Sequence, residues 1–111
     1  MKQSGWLISA LCIIIFFFSA GEAWAQNARQ AAGLALARQI CSECHAVEQR
    51  RGASPNPFAP RFDTIANVPG MTAMALSVAL QRSHPTMPNV NLNSGELTQL
   101  VAYILSLQRA N

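Results

Sequence analysis

Residues 41–45 read Cys41-Ser42-Glu43-Cys44-His45, and the interpretation of the whole chain depends on this stretch. It places two thiols three positions apart and follows the second one directly with an imidazole. The chain has 111 residues, enough for one small domain. Its third cysteine, Cys12, lies in an apolar segment near the start, so three cysteines do not make a disulfide scaffold.

Several kinds of site use a C-x-x-C pair. A disulfide oxidoreductase carries it in a βαβ fold, and no segment of this chain alternates as a strand would. A zinc site needs four ligands, which Cys41, Cys44, His45 and His84 would have to supply, although His45 directly after Cys44 is awkward spacing. A structural disulfide is the plainest alternative. C-x-x-C-H is also the attachment sequence of c-type haem, in which both thiols form thioethers and the histidine binds iron. The pattern favours haem.

A second iron ligand would have to come from elsewhere in the chain. Met71 and Met74 fall on the apolar side of a predicted helix, a position typical of core residues. Met87 lies in an irregular stretch bounded by prolines, which suits a residue held at a fixed distance. Met87 is therefore predicted as the distal ligand. Met/His ligation also raises the haem potential, which suits electron transfer. His84 or an open position is the alternative to Met87, although His84 is expected at the surface or near the haem edge.

The first 25 residues have the pattern of an export signal. Lys2 gives a short positive start, Trp6 to Phe18 form an apolar run of thirteen residues, and Ala23-Trp24-Ala25 supplies small residues at the A-x-A positions. This predicts a signal peptide over 1–25, cleaved after Ala25, and an exported domain over 26–111, placed in a bacterial periplasm. An uncleaved anchor is the alternative, but a spanning helix needs roughly 20 apolar residues.

The charge of residues 26–111 is mildly basic. This part holds seven arginines, no lysine and four acidic residues. Its longest basic run is the pair Arg50-Arg51, which argues against nucleic-acid binding. The basic surface is either a solvated face or a docking surface for an acidic partner protein, with Arg50, Arg51 and Arg82 steering the approach.

The remaining pattern predicts an all-α fold with three main helices and two long loops. Helices are expected over Ala28–Ile40, over Met71–Arg82, and after Asn93, where Glu96 completes a capping box. Residues 46–70 contain four prolines and read as irregular. A domain of this size with so much loop buries a modest core, and such domains usually need a staple such as a cofactor.

The C-x-x-C-H motif, the downstream Met87-Pro88 and an aromatic last helix occur in an order that resembles a small class I cytochrome c. The resemblance covers residues 28–108 and is to the bacterial single-haem kind. It implies a cytochrome c-like fold wrapping one covalent haem c, and an electron carrier rather than an enzyme. The alternative is a haem subunit of a periplasmic dehydrogenase or oxidase. A sensor with a displaceable sixth ligand is a third reading.

The resemblance also implies how the first and last helices meet. Gly33 lies eight residues before Cys41, where the family has the glycine of its helix crossing. Leu100 and Tyr103 match the positions of the last helix that pack against that glycine. Ala37 stands where the family usually has an aromatic residue, which should leave Tyr103 more space to fill.

The family uses a proline carbonyl to hold the proximal histidine. Pro57 and Pro60 both lie in range of His45, and the sequence does not choose between them. Many relatives place a Trp near a haem propionate; here Arg61 or Tyr103 is the substitute. The residues expected to line the haem pocket are Pro57, Phe58, Pro60, Phe62, Pro88, Leu100 and Tyr103.

Overall fold

The computed structural model describes the backbone of residues 4–82 and 84–109, and side chains from residue 21 onward. This part of the chain forms four helices, α1 (Ser4–Ile40), α2 (Phe62–Ala66), α3 (Ala73–Gln81) and α4 (Ser94–Ser106). Within it, no strand forms, and the β-type pairing is an isolated bridge between His84 and Met87. These elements agree with the predicted all-α class.

Helix α1 ends at Ile40, next to the predicted end, but its predicted start at Ala28 was wrong. Residues 21–32 are mostly Ala, Gln, Glu and Arg, which are good helix formers, so nothing interrupts the helix there. Every residue from Gly21 to Arg29 is exposed, and packing begins only beyond them. Within the described residues, no helix combines the length and apolar character that a membrane crossing requires.

Helix α4 begins with the predicted capping box. The Asn93 side chain accepts from the Glu96 N–H at 2.9 Å, and the Glu96 carboxylate accepts from the Asn93 N–H at 2.9 Å. Two of the N–H groups at the helix start are thereby satisfied without help from outside. Leu92 and Leu97 flank this cap and pack against the core as partly buried residues. The fully buried face of the helix is Leu100, Val101, Tyr103 and Ile104.

Helices α1 and α4 cross closely at Gly33. A Cβ atom at this position would overlap the backbone carbonyl oxygen of Gln99 and lie 2.7 Å from Cβ of Tyr103. Only glycine therefore allows the two backbones to approach this far. Leu100 lies beside the crossing and is 1 % exposed, and Ala37, one turn after Gly33, is completely buried.

Helix α3 packs with a different face from the one the sequence suggested. The Thr72 side chain caps it by accepting from the Ala75 N–H at 3.2 Å, so the helix starts after Met71. Leu76 is buried in the core, whereas Met74 is 76 % exposed. The prediction that Met74 is a core residue was wrong. This helix is apolar on all sides, so the periodicity of the sequence could not identify its buried face. Met71 does pack against the core.

The core joins all four helices with the segment that follows the motif. Residues 46–70 were read as irregular, yet they contain α2, which is too short for its periodicity to stand out. The side-chain amide of Asn67 donates to the carbonyl of Leu107, and that of Gln108 donates to the carbonyls of Ala66 and Met71. These bonds tie the α2–α3 connection to the end of α4. The buried cluster comprises Ala37, Cys41, Val47, Phe62, Ala66, Leu76, Leu100, Val101, Tyr103, Ile104 and Leu107.

Candidate functional site

The C-x-x-C-H motif forms a tight turn at the end of α1. The Cys41 N–H still donates to Ala37 in the helical manner, at 2.9 Å. The N–H groups of Cys44 and His45 then both donate to the carbonyl of Cys41, at 3.2 and 2.9 Å. This turn presents two thiols and one imidazole within five residues, directly after a helix that is anchored in the core.

The two cysteines are free thiols in different surroundings. Cys41 is 8 % exposed and belongs to the core cluster, whereas Cys44 is half-buried. Burial raises the pKa of the Cys41 thiol to about 11, so the thiol stays protonated at neutral pH. Redox chemistry and metal binding both use the thiolate, which this position disfavours. A neutral sulfur, as in a thiol or a thioether, suffers no such penalty.

The His45 ring is oriented by a backbone carbonyl. Its Nδ1 lies 2.6 Å from the carbonyl oxygen of Pro60. A carbonyl can only accept, so Nδ1 carries the hydrogen and Nε2 of the neutral ring keeps its lone pair. The ring also lies against Phe62, with centroids 5.5 Å apart and planes tilted by 51°. Pro60, rather than Pro57, is therefore the proline whose carbonyl contacts this histidine.

The Pro60 carbonyl is held in place by the loop that follows the motif. The Asn56 N–H donates to the carbonyl of Cys44 at 3.1 Å, and the Ala46 N–H donates to the Ser54 hydroxyl at 3.0 Å. At the other end of the loop, the Phe62 N–H donates to the carbonyl of Ala46 at 3.0 Å. Three hydrogen bonds thus fasten the proline-rich segment to Cys44 and Ala46, which explains why a long irregular stretch can position a side chain.

An ionic cluster lies beside the motif. One oxygen of the Glu48 carboxylate is 2.9 Å from Nε of Arg38, and the other is 2.9 Å from Nε of Arg51. The hydrogen bond from Arg38 and the positive charges of both arginines lower the pKa of Glu48, against a smaller opposing effect of burial. Neither Arg38 nor Glu48 was predicted as a site residue. The spacing of Glu48 and Arg51 was readable, but the partner ten residues upstream was not.

Arg61, predicted as a candidate for a propionate contact, is already engaged. Its Nε and Nη2 donate to the two carboxylate oxygens of Asp63, at 2.9 and 3.0 Å. The hydrogen bonds from Arg61 lower the pKa of Asp63. The other candidate, Tyr103, donates its hydroxyl to the buried carbonyl of Val47 at 2.7 Å. Both side chains have protein partners, and a role toward a propionate stays a prediction.

The predicted pocket residues fall into two groups. Phe62, Leu100 and Tyr103 are buried in the core. Phe58 is 85 % exposed, on a turn in which its N–H donates to the Asn56 side chain. The exposed group also includes the three predicted prolines, Pro57, Pro60 and Pro88. For both groups, contacts with a cofactor stay predictions.

Met87 lies in a turn closed by its own backbone. Its N–H donates to the carbonyl of His84 at 3.2 Å; Met87 is half-buried and His84 is exposed. Among the residues that the structure describes, no three His, Cys, Asp or Glu side chains gather into a metal-binding group. The described side chains therefore do not bring His84 together with Cys41, Cys44 and His45 in the arrangement that a zinc site would require. This finding does not bear on a His/Met iron site, because methionine is a different ligand.

Comparison with protein-family models, with curated proteins and with solved structures gives no match to this chain. The case for a function therefore depends on the residues of the site itself.

Proposed function

We propose that this protein is a single-haem c-type cytochrome, exported to the periplasm, that transfers single electrons between redox proteins. The observation that carries the proposal is the motif turn, in which Cys41 and Cys44 are free thiols and Nδ1 of His45 is bonded to Pro60. Nε2 of His45 is thereby left as the ring nitrogen with a lone pair, which an iron ligand requires.

The donor set fits a covalently bound haem, which would supply reversible one-electron chemistry. Cys41 and Cys44 would hold the porphyrin by thioethers, and His45 would be the proximal ligand. The bond from Nδ1 to the Pro60 carbonyl fixes the ring orientation and raises the basicity of Nε2. The chain's contribution is therefore to attach, orient and shield the group, and the proposal needs no catalytic residue.

Met87 is the proposed distal ligand. Its turn is closed by the bond to His84, and prolines on both sides restrict the backbone further. The two alternatives on the neighbouring helix are less suitable, because Met71 packs against the core and Met74 sits on a helix face turned away from Leu76.

The surroundings of the predicted cleavage point are compatible with removal of residues 1–25. The residues from Gly21 to Arg29 are exposed, so Ala25 lies clear of the packed part of α1. Cleavage there would leave the packed residues of the domain in place.

The proposal is tested with cysteine variants of the exported protein. Replacing both motif cysteines, Cys41→Ala with Cys44→Ala, should leave no haem on the polypeptide after acid–acetone extraction. Cys12→Ala is the matched control, because Cys12 lies in the predicted signal peptide and its loss should leave the haem attached. Absorption spectra of the oxidised and reduced protein provide the readout. Haem that stays bound to the double variant, or a parent protein without haem, would refute the proposal.

A further inference from the structure

The Glu48 carboxylate holds two arginines that come from different parts of the chain. Arg38 belongs to the last turn of α1, and Arg51 to the loop after the motif. Arg38 Nε donates a hydrogen bond to one oxygen of Glu48 at 2.9 Å, and Arg51 Nε lies 2.9 Å from the other oxygen. The two arginine side chains are 54 % and 75 % exposed, so their outer ends face solvent.

The cluster keeps a positive charge despite its carboxylate. Glu48 contributes one negative charge against the two guanidinium groups that it contacts. Arg50, the chain neighbour of Arg51, is exposed and adds a further positive charge. Local potentials of this kind steer acidic partners toward a surface.

We infer that Arg38, Glu48 and Arg51 form a preorganised receptor for a carboxylate on an acidic partner protein, with Glu48 as the positioning residue. A guanidinium group offers paired N–H donors that match a carboxylate. Two such groups fixed in advance lose less conformational freedom when the partner binds than two mobile side chains would.

The position of this receptor relates it to electron transfer. Arg38 precedes Cys41 by three residues, and Glu48 follows His45 by three residues. A partner bound here would lie beside the motif turn. That the partner is a redox protein rests on the proposed function; the preference for carboxylates rests on the cluster alone.

The first test measures binding of a hexaglutamate peptide to the purified protein at low ionic strength, by NMR shift titration. Arg38→Gln and Arg51→Gln should each weaken binding about threefold, the size expected for one exposed charge pair. Arg29→Gln makes the same charge change on an exposed part of α1 and should change binding by less. Equal effects of all three variants would overturn the inference, because they would show that only net charge matters.

The second test exploits a difference in sign. Glu48→Gln makes the surface more positive, so charge alone predicts tighter binding of the peptide. The receptor predicts weaker binding, because the two arginines lose the carboxylate that positions them. Glu43→Gln is the matched control, since Glu43 is exposed and its loss changes the charge equally. If Glu48→Gln tightens binding as much as Glu43→Gln does, the inference fails.

These outcomes are separable from the fate of the proposed function, because the haem content of the purified protein is measured independently of peptide binding. Protein without haem that still binds the peptide in the expected pattern would refute the cytochrome proposal and leave the receptor intact. Protein with haem, but without that pattern, would refute the receptor alone.

Discussion

At the scale of single residues, one backbone carbonyl decides the orientation of the His45 ring. Pro57 and Pro60 both lie near enough along the chain to supply it. Pro60 takes this role because hydrogen bonds fasten the loop after the motif to Cys44 and Ala46. They bring the Pro60 carbonyl oxygen to 2.6 Å from Nδ1 of His45. These fastening bonds involve backbone groups, which every residue carries, so no side-chain pattern announces them.

Met87 provides a prediction at the same scale. Met87→Ala should abolish the long-wavelength sulfur-to-iron absorption and lower the reduction potential, because a thioether ligand stabilises the reduced iron. Axial ligands set haem potentials over a range of roughly 0.8 V, so the shift should be a sizeable part of that range. Absorption spectroscopy and redox titration measure both effects.

Met74→Ala serves as the control for this prediction, because Met74 is 76 % exposed and lies outside the core. Its spectrum should match that of the parent. An unchanged spectrum for Met87→Ala, or a lost absorption band for Met74→Ala, would assign the ligand elsewhere.

At the scale of helices, a boundary or a packing face could be predicted from the sequence when interactions within the same turn determine it. The start of α4 was predictable because Asn93 and Glu96 satisfy each other within one turn. The packing face of α3 was not, because Leu76 and Met74 are both apolar and only the position of α4 decides between them. The start of α1 was predicted too late in the chain. A cleavage site is not a helix breaker, so the good helix formers before Ala28 continue the helix.

The crossing of α1 and α4 gives a prediction at this scale. Gly33→Ala places a Cβ against the backbone of Gln99 and against Tyr103, and neither can move without shifting a helix. Overpacking typically costs 1–3 kcal/mol, and the better helix propensity of alanine returns about 1 kcal/mol at most. We expect a net destabilisation of up to about 2 kcal/mol, measured as a lower midpoint of urea unfolding at unchanged slope.

Gly95→Ala is the matched glycine variant on the other helix. The nearest atom to a Cβ there is Oδ1 of Asn93 at 3.3 Å, the end of a side chain rather than a backbone. The variant should therefore lose much less stability than Gly33→Ala. Similar losses at both positions would contradict the close crossing as the cause.

At the scale of the whole molecule, stability should depend on pH through the Arg61–Asp63 pair. The hydrogen bonds from Arg61 lower the pKa of Asp63 in the folded state. Stability from a carboxyl of this kind is present above its unfolded pKa, near 4, and is lost as the pH falls through its folded pKa. Asp63→Asn should therefore be less stable than the parent at pH 7, and this difference should shrink below about pH 4.

Urea unfolding at a series of pH values measures this effect. Glu43→Gln is the control, since Glu43 is exposed and no ion pair to it occurs in the described part of the chain. It should follow the parent curve. A constant difference between parent and Asp63→Asn over the whole pH range would mean that the charge of Asp63 does not stabilise the fold.

The Tyr103–Val47 hydrogen bond gives the protein an intrinsic optical probe. Tyr103 is the single tyrosine, and both tryptophans precede residue 25, so the exported domain would contain one fluorophore of this class. Its phenol joins α4 to the segment after the motif, so detachment of this segment breaks the hydrogen bond to Val47. The optical signal of this one phenol should therefore change when this segment detaches, which would report local opening of the domain without any added label.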